Sequence, residues 1–299
     1  MKQKIYSRID EIPTGSADDS ITSGCLVLEG GGWKGLYTLG VLDCMMQNGI
    51  NFSATVGCSA GALSAIGYVA GQIGWGARID LTYRHDQNYC GIGAMKRDGG
   101  ITGFSYLYRD ILRQMPLNKK RLQDPARRLA VSATNLLTGK VEYFEKGKCN
   151  LSKAVQASAT VPYISRPVMI GGVPYLDGGC AEKIPFSWAQ QCGERKIVVV
   201  RTRERAYRRD TAPSVLTAKM YRKYPEFVRS MDAAPAQFNE TADLLEHLAG
   251  QGEIFQIAPS EPVTVTRFDG DLEKLGALYW LGMHDMEARL GTLRDYLQR

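Results

Sequence analysis

Short apolar runs alternate with longer amphipathic stretches along the chain. Runs at 25–28, 54–58, 129–133 and 196–200 consist of small or β-branched apolar residues and predict buried strands. Periodic apolar positions predict helices over 36–47, from 59 to about 71, over 152–158 and from about 213 to 249. Strands that alternate with helices predict an α/β fold, here a three-layer α/β/α sandwich around a mostly parallel central sheet.

Several further elements follow from the same pattern. The segment 140–144 is expected to pair with 129–133, and 168–170 with 173–176 through the turn at 171–172. A last strand is predicted at 253–257, and a C-terminal helical segment at 272–299 that is interrupted at Gly282. The segment 75–125 is either a cap over the ligand-binding crevice or a plain helical layer, and the sequence leaves both open.

The chain shows no internal repeat, low-complexity tract or Pro/Gly-rich linker. We therefore predict a single domain, 1–299, with a catalytic core at 24–200 and a C-terminal elaboration at 201–299. Its 299 residues, 44% hydrophobic and 23% charged, suffice for the core of a soluble globular protein. No apolar signal-peptide region and no window of membrane-spanning length is present, which favours a cytoplasmic protein.

Cysteine and histidine usage gives no sign of a metal site. The seven cysteines are odd in number and form no Cys-x-x-Cys pair, and the three histidines are far apart in the sequence. This pattern disfavours both a zinc site and a disulfide framework, and predicts free thiols in a reducing compartment.

The net charge of +6 includes a local basic run. The run either forms a solvated face or makes peripheral contact with an anionic membrane surface. Nucleic acid is not expected as a partner, because no recognisable binding motif accompanies the charge. Its members are Arg201, Arg203, Arg205, Arg208, Arg209, Lys219, Arg222, Lys223 and Arg229.

The sequence Gly-Cys-Ser-Ala-Gly at 57–61 lies between a predicted strand and a predicted helix. A Gly-x-Ser-x-Gly motif in this position forms a sharp turn that exposes the serine hydroxyl, here that of Ser59. Gly57 and Gly61 allow the close approach of backbone and substrate, and the helix N-terminus favours negative charge beside the serine. Ser59 is therefore the predicted nucleophile of an acyl hydrolase.

A second glycine-rich loop follows the first predicted strand. Gly30, Gly31 and Gly32 lead into a helix, so their amides are predicted donors to an oxyanion, with a further donor from Ala60. The spacing Gly30-x-Gly32-x-x-Gly35 also fits a dinucleotide-binding fingerprint. That fingerprint requires an acidic residue about twenty positions later. The corresponding segment 52–56 has none, which disfavours a nucleotide site.

Two types of residue are candidates for the general base, namely histidine and aspartate. The order Ser59, Asp177 and then His247 or His284 matches the triad order of α/β-hydrolases. However, His247 and His284 lie in predicted amphipathic helices, and His85 precedes the later strands of the sheet, so none is a convincing base.

Asp177 is the stronger candidate for the base. It follows a predicted strand and precedes Gly178 and Gly179, which would let its carboxylate reach an open crevice. A partly desolvated carboxylate can accept a serine proton directly. An Asp-Gly pair is also common in ordinary turns, so the residue alone does not decide.

Taken together, the three motifs resemble one family. The order Gly-Gly-Gly-x-Lys-Gly at 30–35, Gly-x-Ser-x-Gly at 57–61 and Asp-Gly-Gly at 177–179 is similar to that of patatin-like phospholipases, most closely the bacterial intracellular members. The run Ala-Ser-Ala-Thr-Val-Pro at 157–162 resembles that family's approach to its aspartate. The resemblance covers about residues 24–200 and implies a patatin-like fold.

The resemblance implies a Ser59–Asp177 dyad without a catalytic histidine, in which Ser59 accepts the acyl group and Asp177 is the general base. Lys34 occupies the position of a basic residue of the family and is expected to favour anionic headgroups. Trp33 is bulkier than the residue that the resemblance leads us to expect at its position. The implied reaction is ester hydrolysis of phospholipids or other acyl lipids, of phospholipase A or lysophospholipase type. It needs no calcium or other cofactor.

Two other functions remain open at this stage. One is a non-catalytic lipid- or membrane-binding protein on the same fold, and the other a histidine-dependent esterase. The motifs do not reach the C-terminal hundred residues, where we expect substrate choice to reside.

Overall fold

The computed structural model describes residues 4–212 and 215–299. Positions 1–3, and position 213 at which a helical region is predicted to begin, lie outside the described residues. The strands in the described chain are β1 (Gly15–Ser16), β2 (Thr22–Leu28), β3 (Phe52–Cys58), β4 (Gln72–Ile73), β5 (Arg128–Asn135), β6 (Val141–Glu145), β7 (Val168–Ile170), β8 (Val173–Asp177), β9 (Ile197–Val200) and β10 (Phe255–Ile257).

Helices connect most of these strands. They are α1 (Gly35–Gln47), α2 (Ala60–Val69), α3 (Trp75–Tyr83), α4 (Ile92–Asp98), α5 (Phe104–Tyr106), α6 (Leu112–Gln114), α7 (Lys119–Gln123), α8 (Leu151–Ser158), α9 (Phe186–Gln191), α10 (Val215–Met220), α11 (Pro225–Gly250) and α12 (Leu272–Gln298). Single turns of tighter helix occur at Gly32–Lys34 and Gly178–Cys180, and a π-helical turn at Leu107–Ile111. The predicted strands and helices are confirmed with bounds shifted by a few residues, except that the helical region predicted from about 213 to 249 is divided into α10 and α11.

The main sheet is mixed and mostly parallel. Its strand order is β10-β9-β2-β3-β5-β8-β7, and the first five of these strands are parallel to one another. The hairpin β7–β8 adds to β5 in the antiparallel direction, and β6 pairs with β5 as predicted. Strand β9 lies inside the sheet because β10 covers its outer edge.

Helices cover both faces of the sheet, which confirms the predicted three-layer sandwich. Alternate side chains of a strand point to opposite faces. Leu26 and Leu28 of β2 accordingly pack in one core with α1, α3 and α12. Cys25 and Val27 of the same strand pack on the other face in a second core, with side chains of α9 and α11.

Residues beyond 200 complete this architecture. Strand β10 forms the edge of the sheet, and α12 contributes Leu275, Tyr279 and Met286 to the core that contains Leu26. The C-terminal segment is therefore built into the sheet and the core that position the site.

The predicted interruption at Gly282 is wrong, because α12 runs unbroken from Leu272 to Gln298. A Cβ atom on Gly282 would lie 2.1 Å from the backbone oxygen of Tyr37 in α1. Reciprocally, a Cβ atom on Gly40 of α1 would lie 2.1 Å from the oxygen of Tyr279 in α12. Both glycines allow the two helix backbones to touch where they cross, and the hydrogen-bonded helix tolerates them at a modest cost.

Candidate active site

Ser59 lies on a strained turn between β3 and α2. Its backbone has φ 54° and ψ −120°, a conformation that side-chain-bearing residues rarely adopt. The backbone N–H of Ser59 donates a hydrogen bond to Ser158 Oγ at 2.9 Å, which holds the turn against the end of α8. The strain is therefore stabilised by a neighbouring element, as in a nucleophile elbow.

The two glycines of the motif are required by close backbone contacts. A Cβ atom on Gly57 would lie 2.4 Å from the oxygen of Gly61, and a Cβ atom on Gly61 would lie 2.4 Å from the oxygen of Leu28. Gly35 has a similar role, since its Cβ atom would lie 2.9 Å from Cβ of Ala60. These contacts bring the start of α1, the start of α2 and the end of β2 together beneath Ser59.

Asp177 reaches Ser59 from the opposite direction. Strand β5 extends past the end of β3, and β8 pairs with this extension, so that Asp177 is opposite Ala133 while Cys58 is opposite Ser132. The antiparallel β8 therefore ends beside the turn that follows β3. Ser59 Oγ donates a hydrogen bond to Asp177 Oδ2 at 2.6 Å.

The Asp177 carboxylate is oriented by its own turn. The backbone N–H of Gly179 donates to Oδ1 at 2.8 Å, and Thr134 Oγ1 donates to the backbone oxygen of Asp177 at 2.9 Å. A Cβ atom on Gly178 would lie 2.4 Å from Ser132 Oγ, which explains the first glycine after the aspartate. Asp177 thus caps a tight turn and contacts Ser59 at the same time.

Two opposing effects act on the protonation of Asp177. Burial raises the pKa of its carboxyl group, because desolvation disfavours the charged form. The hydrogen bonds from Ser59 and Gly179, together with the positive charges of Arg267 and Lys183, act in the opposite direction. The net result is a pKa above that of an ordinary aspartate, which makes the carboxylate a stronger proton acceptor than an exposed one.

The glycine loop lies next to the Ser59 turn. The inclusion of Gly30 among the predicted oxyanion donors is wrong, because its N–H already donates to the backbone oxygen of Lys183 at 3.0 Å. The amides of Gly31, Gly32 and Ala60 form no hydrogen bond within the described chain. Gly32 has φ +56°, which turns the loop towards α1.

The loop is fixed by its contacts on both sides. A Cβ atom on Gly31 would lie 2.8 Å from Thr202 Oγ1, so only glycine fits there. The bulky Trp33 is covered by Arg84, whose guanidinium carbon lies 4.7 Å from the ring centroid. Lys34, the other residue of interest in the loop, is buried, with 8% of its surface exposed.

None of the three histidines contacts the Ser59–Asp177 pair. His85 Nε2 lies 2.9 Å from the backbone oxygen of Gly270, and the ring of His284 packs against Trp280. His247 is exposed on α11. The geometry therefore gives no support to a Ser-His-Asp arrangement.

An apolar cavity of about 200 Å³ opens beside Ser59. The segment 75–125, which the sequence left either as a cap or as a plain layer, forms one wall of this cavity. Its lining side chains are Trp75, Ile79, Tyr89, Leu107, Tyr108 and Leu112, opposite Leu63 and Ile66 of α2 and Val155 of α8. Such a lining suits an alkyl chain.

Arg267 and Phe268 also line this cavity, although the sequence gave no motif that points to them. They belong to the loop before α12. Arg84 holds this loop by donating to the backbone oxygens of Asp269 at 2.7 Å and Phe268 at 3.0 Å. His85 and Lys274 also contact this loop, through Gly270 and Asp269, so tertiary contacts hold it at the site.

The basic run at 201–229 is not a uniform solvated face. Arg201 is fully buried and pairs with the fully buried Glu29 at 2.9 Å. Arg205 and Arg208 form ion pairs with side chains of α11. Within residues 4–212 and 215–299, no helix is long and apolar enough to cross a membrane. The same residues contain no cluster of three or more side chains suited to hold a metal ion.

Comparison with known proteins places the chain in a family. The family model "Patatin-like phospholipase" matches residues 26–189, more than half of the chain. A second model, a domain of unknown function (DUF6363), matches residues 224–298.

Three individual proteins illustrate the similarity. The uncharacterized protein YjjU of Escherichia coli is 28% identical, over 86% of this chain and 74% of its own length. The probable lipid hydrolase 463L of Invertebrate iridescent virus 6 is 26% identical, over 57% of this chain and 64% of its own. The crystal structure of VipD from Legionella pneumophila shares the fold, with a TM-score of 0.51 and 16% identity over 93% of this chain and 68% of that one. The chain therefore belongs to the patatin-like phospholipase family of lipolytic hydrolases.

Proposed function

We propose that this protein hydrolyses carboxylic esters of lipids through a Ser59–Asp177 dyad and an acyl-enzyme. The observation that carries the proposal is the 2.6 Å hydrogen bond from Ser59 Oγ to Asp177, on a strained turn beside unpaired backbone amides. A serine nucleophile needs a base, oxyanion donors and a position that substrate can reach. Ser59 has the first two beside it and lines the apolar cavity.

In the first half of the reaction, Ser59 Oγ attacks the ester carbonyl carbon while its proton passes to Asp177. The amides of Gly31, Gly32 and Ala60 then donate to the oxyanion that develops on the carbonyl oxygen. Collapse of the tetrahedral intermediate breaks the bond to the alcohol, which leaves with the proton from Asp177. The acyl group remains on Ser59.

In the second half, a water molecule attacks the acyl carbon and transfers a proton to Asp177. The bond to Ser59 Oγ breaks, Oγ recovers the proton, and the fatty acid leaves. The same carboxylate thus serves as base and acid in turn. Its raised pKa suits both roles better than that of an exposed aspartate.

The cavity beside Ser59 supports a lipid acyl group as the substrate part that is bound. Its walls are mostly aliphatic and aromatic, and they begin at the nucleophile itself. Burial of an alkyl chain in such a site contributes about 0.8 kcal/mol per methylene group. We therefore expect kcat/KM for p-nitrophenyl esters to rise with acyl length until the cavity is filled.

Labelling with an active-site fluorophosphonate, together with ester hydrolysis, tests the proposal. The wild-type protein should be labelled at Ser59 and should cleave both p-nitrophenyl butyrate and a phospholipid. The Ser59→Ala variant should lose labelling and hydrolysis while it remains folded by circular dichroism. Ser53→Ala is the matched control, since Ser53 lies at the other end of the same strand. Labelling of another residue, or turnover by Ser59→Ala, would refute the proposal.

A further inference from the structure

A cluster of basic side chains lies beside the proposed dyad, and its members outnumber the acidic side chains next to them. It consists of Lys34, Lys183, Arg201, Arg203, Arg209 and Arg267, and the carboxylates next to it are Glu29 and Asp177. Glu246 also interacts with Arg201, but it is already paired with Arg205. Three segments of the chain supply it, namely the glycine loop, the turn after Asp177 and the C-terminal region. We call this group the basic cluster.

The carboxylates of the basic cluster are already occupied. Glu29 is fully buried and accepts hydrogen bonds from Lys183 at 2.9 Å, Arg201 at 2.9 Å and the backbone of Thr202 at 2.9 Å. Asp177 is engaged by Ser59 and the Gly179 turn. Neither acid is free to neutralise a further cation.

Several cations of the cluster lack an anionic partner, although the guanidinium carbon of Arg209 lies 5.9 Å from the ring centroid of Phe238. In the part of the chain that the structure describes, the side chains of Lys34, Arg209 and Arg267 form no hydrogen bond or ion pair. Arg201 Nη2 is also buried without a hydrogen-bond partner. A buried, unpaired charge is costly, and a bound anion would offset that cost.

Lys34 is a buried lysine with several cations around it. More than nine-tenths of its surface is buried. Burial lowers the pKa of its ammonium group to about 8, and the positive charges of Lys183, Arg203 and Arg267 add to that effect. The ammonium is therefore poised to gain from an incoming anion.

Arg267 connects the basic cluster to the substrate cavity. It lines the same cavity as Ser59, and its Cγ lies 3.8 Å from where a Cβ atom on Gly32 would be. Its side chain is exposed, so the guanidinium is accessible to a ligand. A group held by Arg267 would lie next to an ester bound at Ser59.

We propose that Arg267, the member of the basic cluster that lines the cavity, binds the phosphate of the substrate and makes the enzyme prefer lipids with a net-anionic headgroup over zwitterionic ones. The other cations of the cluster add positive charge behind it. The proposal rests on the ester-hydrolase function proposed above. It assigns a role to the segment that matches a domain of unknown function, since Arg267 lies within 224–298.

The preference for a net negative headgroup follows from the charge of the site. Glu29 and Asp177 are engaged by their own partners, so a choline or ethanolamine group beside Arg267 meets positive charge without a free carboxylate. The exposed ring of Phe268 also lines the cavity, so the expected discrimination comes from the charge of Arg267 and not from a lack of aromatic surface. A phosphate without an attached cation meets no such repulsion.

Hydrolysis of short-chain lipids below their micellar concentration tests the proposal, because monomeric substrates remove any effect of vesicle surface charge. The substrates are dihexanoyl phosphatidylglycerol, dihexanoyl phosphatidylcholine and uncharged p-nitrophenyl butyrate. We expect a higher kcat/KM for the glycerol lipid than for the choline lipid. In Arg267→Gln this ratio should fall about tenfold, as for the loss of one charge-assisted hydrogen bond. Both proteins should have the same thermal midpoint.

Arg195→Gln is the control. Arg195 is an exposed arginine that precedes the first residue of β9, at the opposite end of this strand from Arg201, and its loss changes the net charge by the same amount. Its ratio should equal that of the wild type. A wild-type enzyme that cleaves p-nitrophenyl butyrate but shows no anionic preference would overturn this inference and leave the ester-hydrolase function intact. An unchanged ratio in Arg267→Gln would also overturn it. Failure to cleave any of the three esters would refute the ester-hydrolase function, and this inference with it.

Discussion

The Ser59–Asp177 hydrogen bond is the contact whose removal tests the proposed mechanism most directly. Asp177→Asn preserves the size of the side chain and an oxygen that can accept the Gly179 amide, now bound at 2.8 Å. The carboxamide cannot take up the Ser59 proton, because it is not a base at any accessible pH. The change therefore removes the proton acceptor and keeps the geometry.

The expected loss is large because the described chain offers no substitute base. Ser59 Oγ hydrogen-bonds only to Asp177 among the side chains of residues 4–212 and 215–299, and none of the histidines in that part contacts the pair. A positioned general base contributes up to about 10⁴-fold to the rate. We expect kcat/KM to fall by about 10³- to 10⁴-fold, which corresponds to about 4 to 5 kcal/mol of transition-state stabilisation.

The free energy of unfolding of Asp177→Asn should be equal to or higher than that of the wild type. Burial holds the pKa of Asp177 above its unfolded value, so the folded state binds this proton more tightly than the unfolded state. The associated stability is present below the unfolded pKa and is lost as the pH rises through the folded pKa. Above the folded pKa the ionised carboxylate is thus a destabilising group, and the neutral amide of Asp177→Asn removes that cost.

The assay is kcat/KM for p-nitrophenyl butyrate and for a phospholipid between pH 5 and 9, with the thermal midpoint measured on the same samples. Wild-type kcat/KM should rise with pH through the pKa of Asp177, and the Asp177→Asn variant should lack this rise. Asp43→Asn is the matched control: this buried carboxylate accepts hydrogen bonds from the Gly74 amide at 2.9 Å and from Tyr279 at 2.8 Å. More than about one tenth of wild-type kcat/KM in folded Asp177→Asn would refute a role for Asp177 as the base.

Three further outcomes are expected. Gly31→Ala places a Cβ atom 2.8 Å from Thr202 Oγ1, so the glycine loop must shift. We expect kcat to fall about a hundredfold or more while the circular dichroism spectrum stays unchanged. A wild-type kcat would contradict the assignment of the Gly31 amide as an oxyanion donor. Gly282→Ala should lower the urea-unfolding free energy by about 1 to 3 kcal/mol through overpacking, whereas Gly291→Ala in the same helix, with open space around it, should not lower it. Burial raises the pKa of Asp43 to about 7, so its contribution to stability is full below about pH 4 and should be lost as the pH rises through about 7. The unfolding free energy of Asp43→Asn relative to wild type should therefore increase by about 2 to 3 kcal/mol from pH 5 to pH 8. A pH-independent difference would contradict the shift.

The sequence by itself determined the elements and the serine turn, because these depend on local patterns. Apolar runs, helical periodicity and glycines in fixed positions specify β2, α1, β3 and α2 without reference to distant residues. The motif around Ser59 is recognisable in the same way, since it occupies five consecutive positions between a strand and a helix, although Leu28 and Ser158 are the distant residues that contact Gly61 and Ser59. The ordered motifs were also sufficient to predict the family, which the family model confirms.

The position of a glycine in the sequence does not show which neighbouring residue requires it or contacts it. Gly282 is predicted from the sequence to interrupt a helix, yet it allows α12 to cross α1 in contact with the backbone of Tyr37, which is far away in the sequence. Gly30 appeared to be a free donor, yet the backbone oxygen of Lys183 occupies its amide. In both cases the deciding partner is non-local, so no local pattern encodes it.

Tertiary structure alone decided how the site is assembled. Asp177 meets Ser59 because β8 pairs with the extension of β5 in the antiparallel direction, a register that depends on the whole sheet. Arg267 reaches the cavity because Arg84 fixes the preceding loop of α12 against Trp33. Sequence thus determined which chemical groups the chain carries and where its elements begin, whereas long-range packing and hydrogen bonding decided which groups meet and which amides remain unpaired.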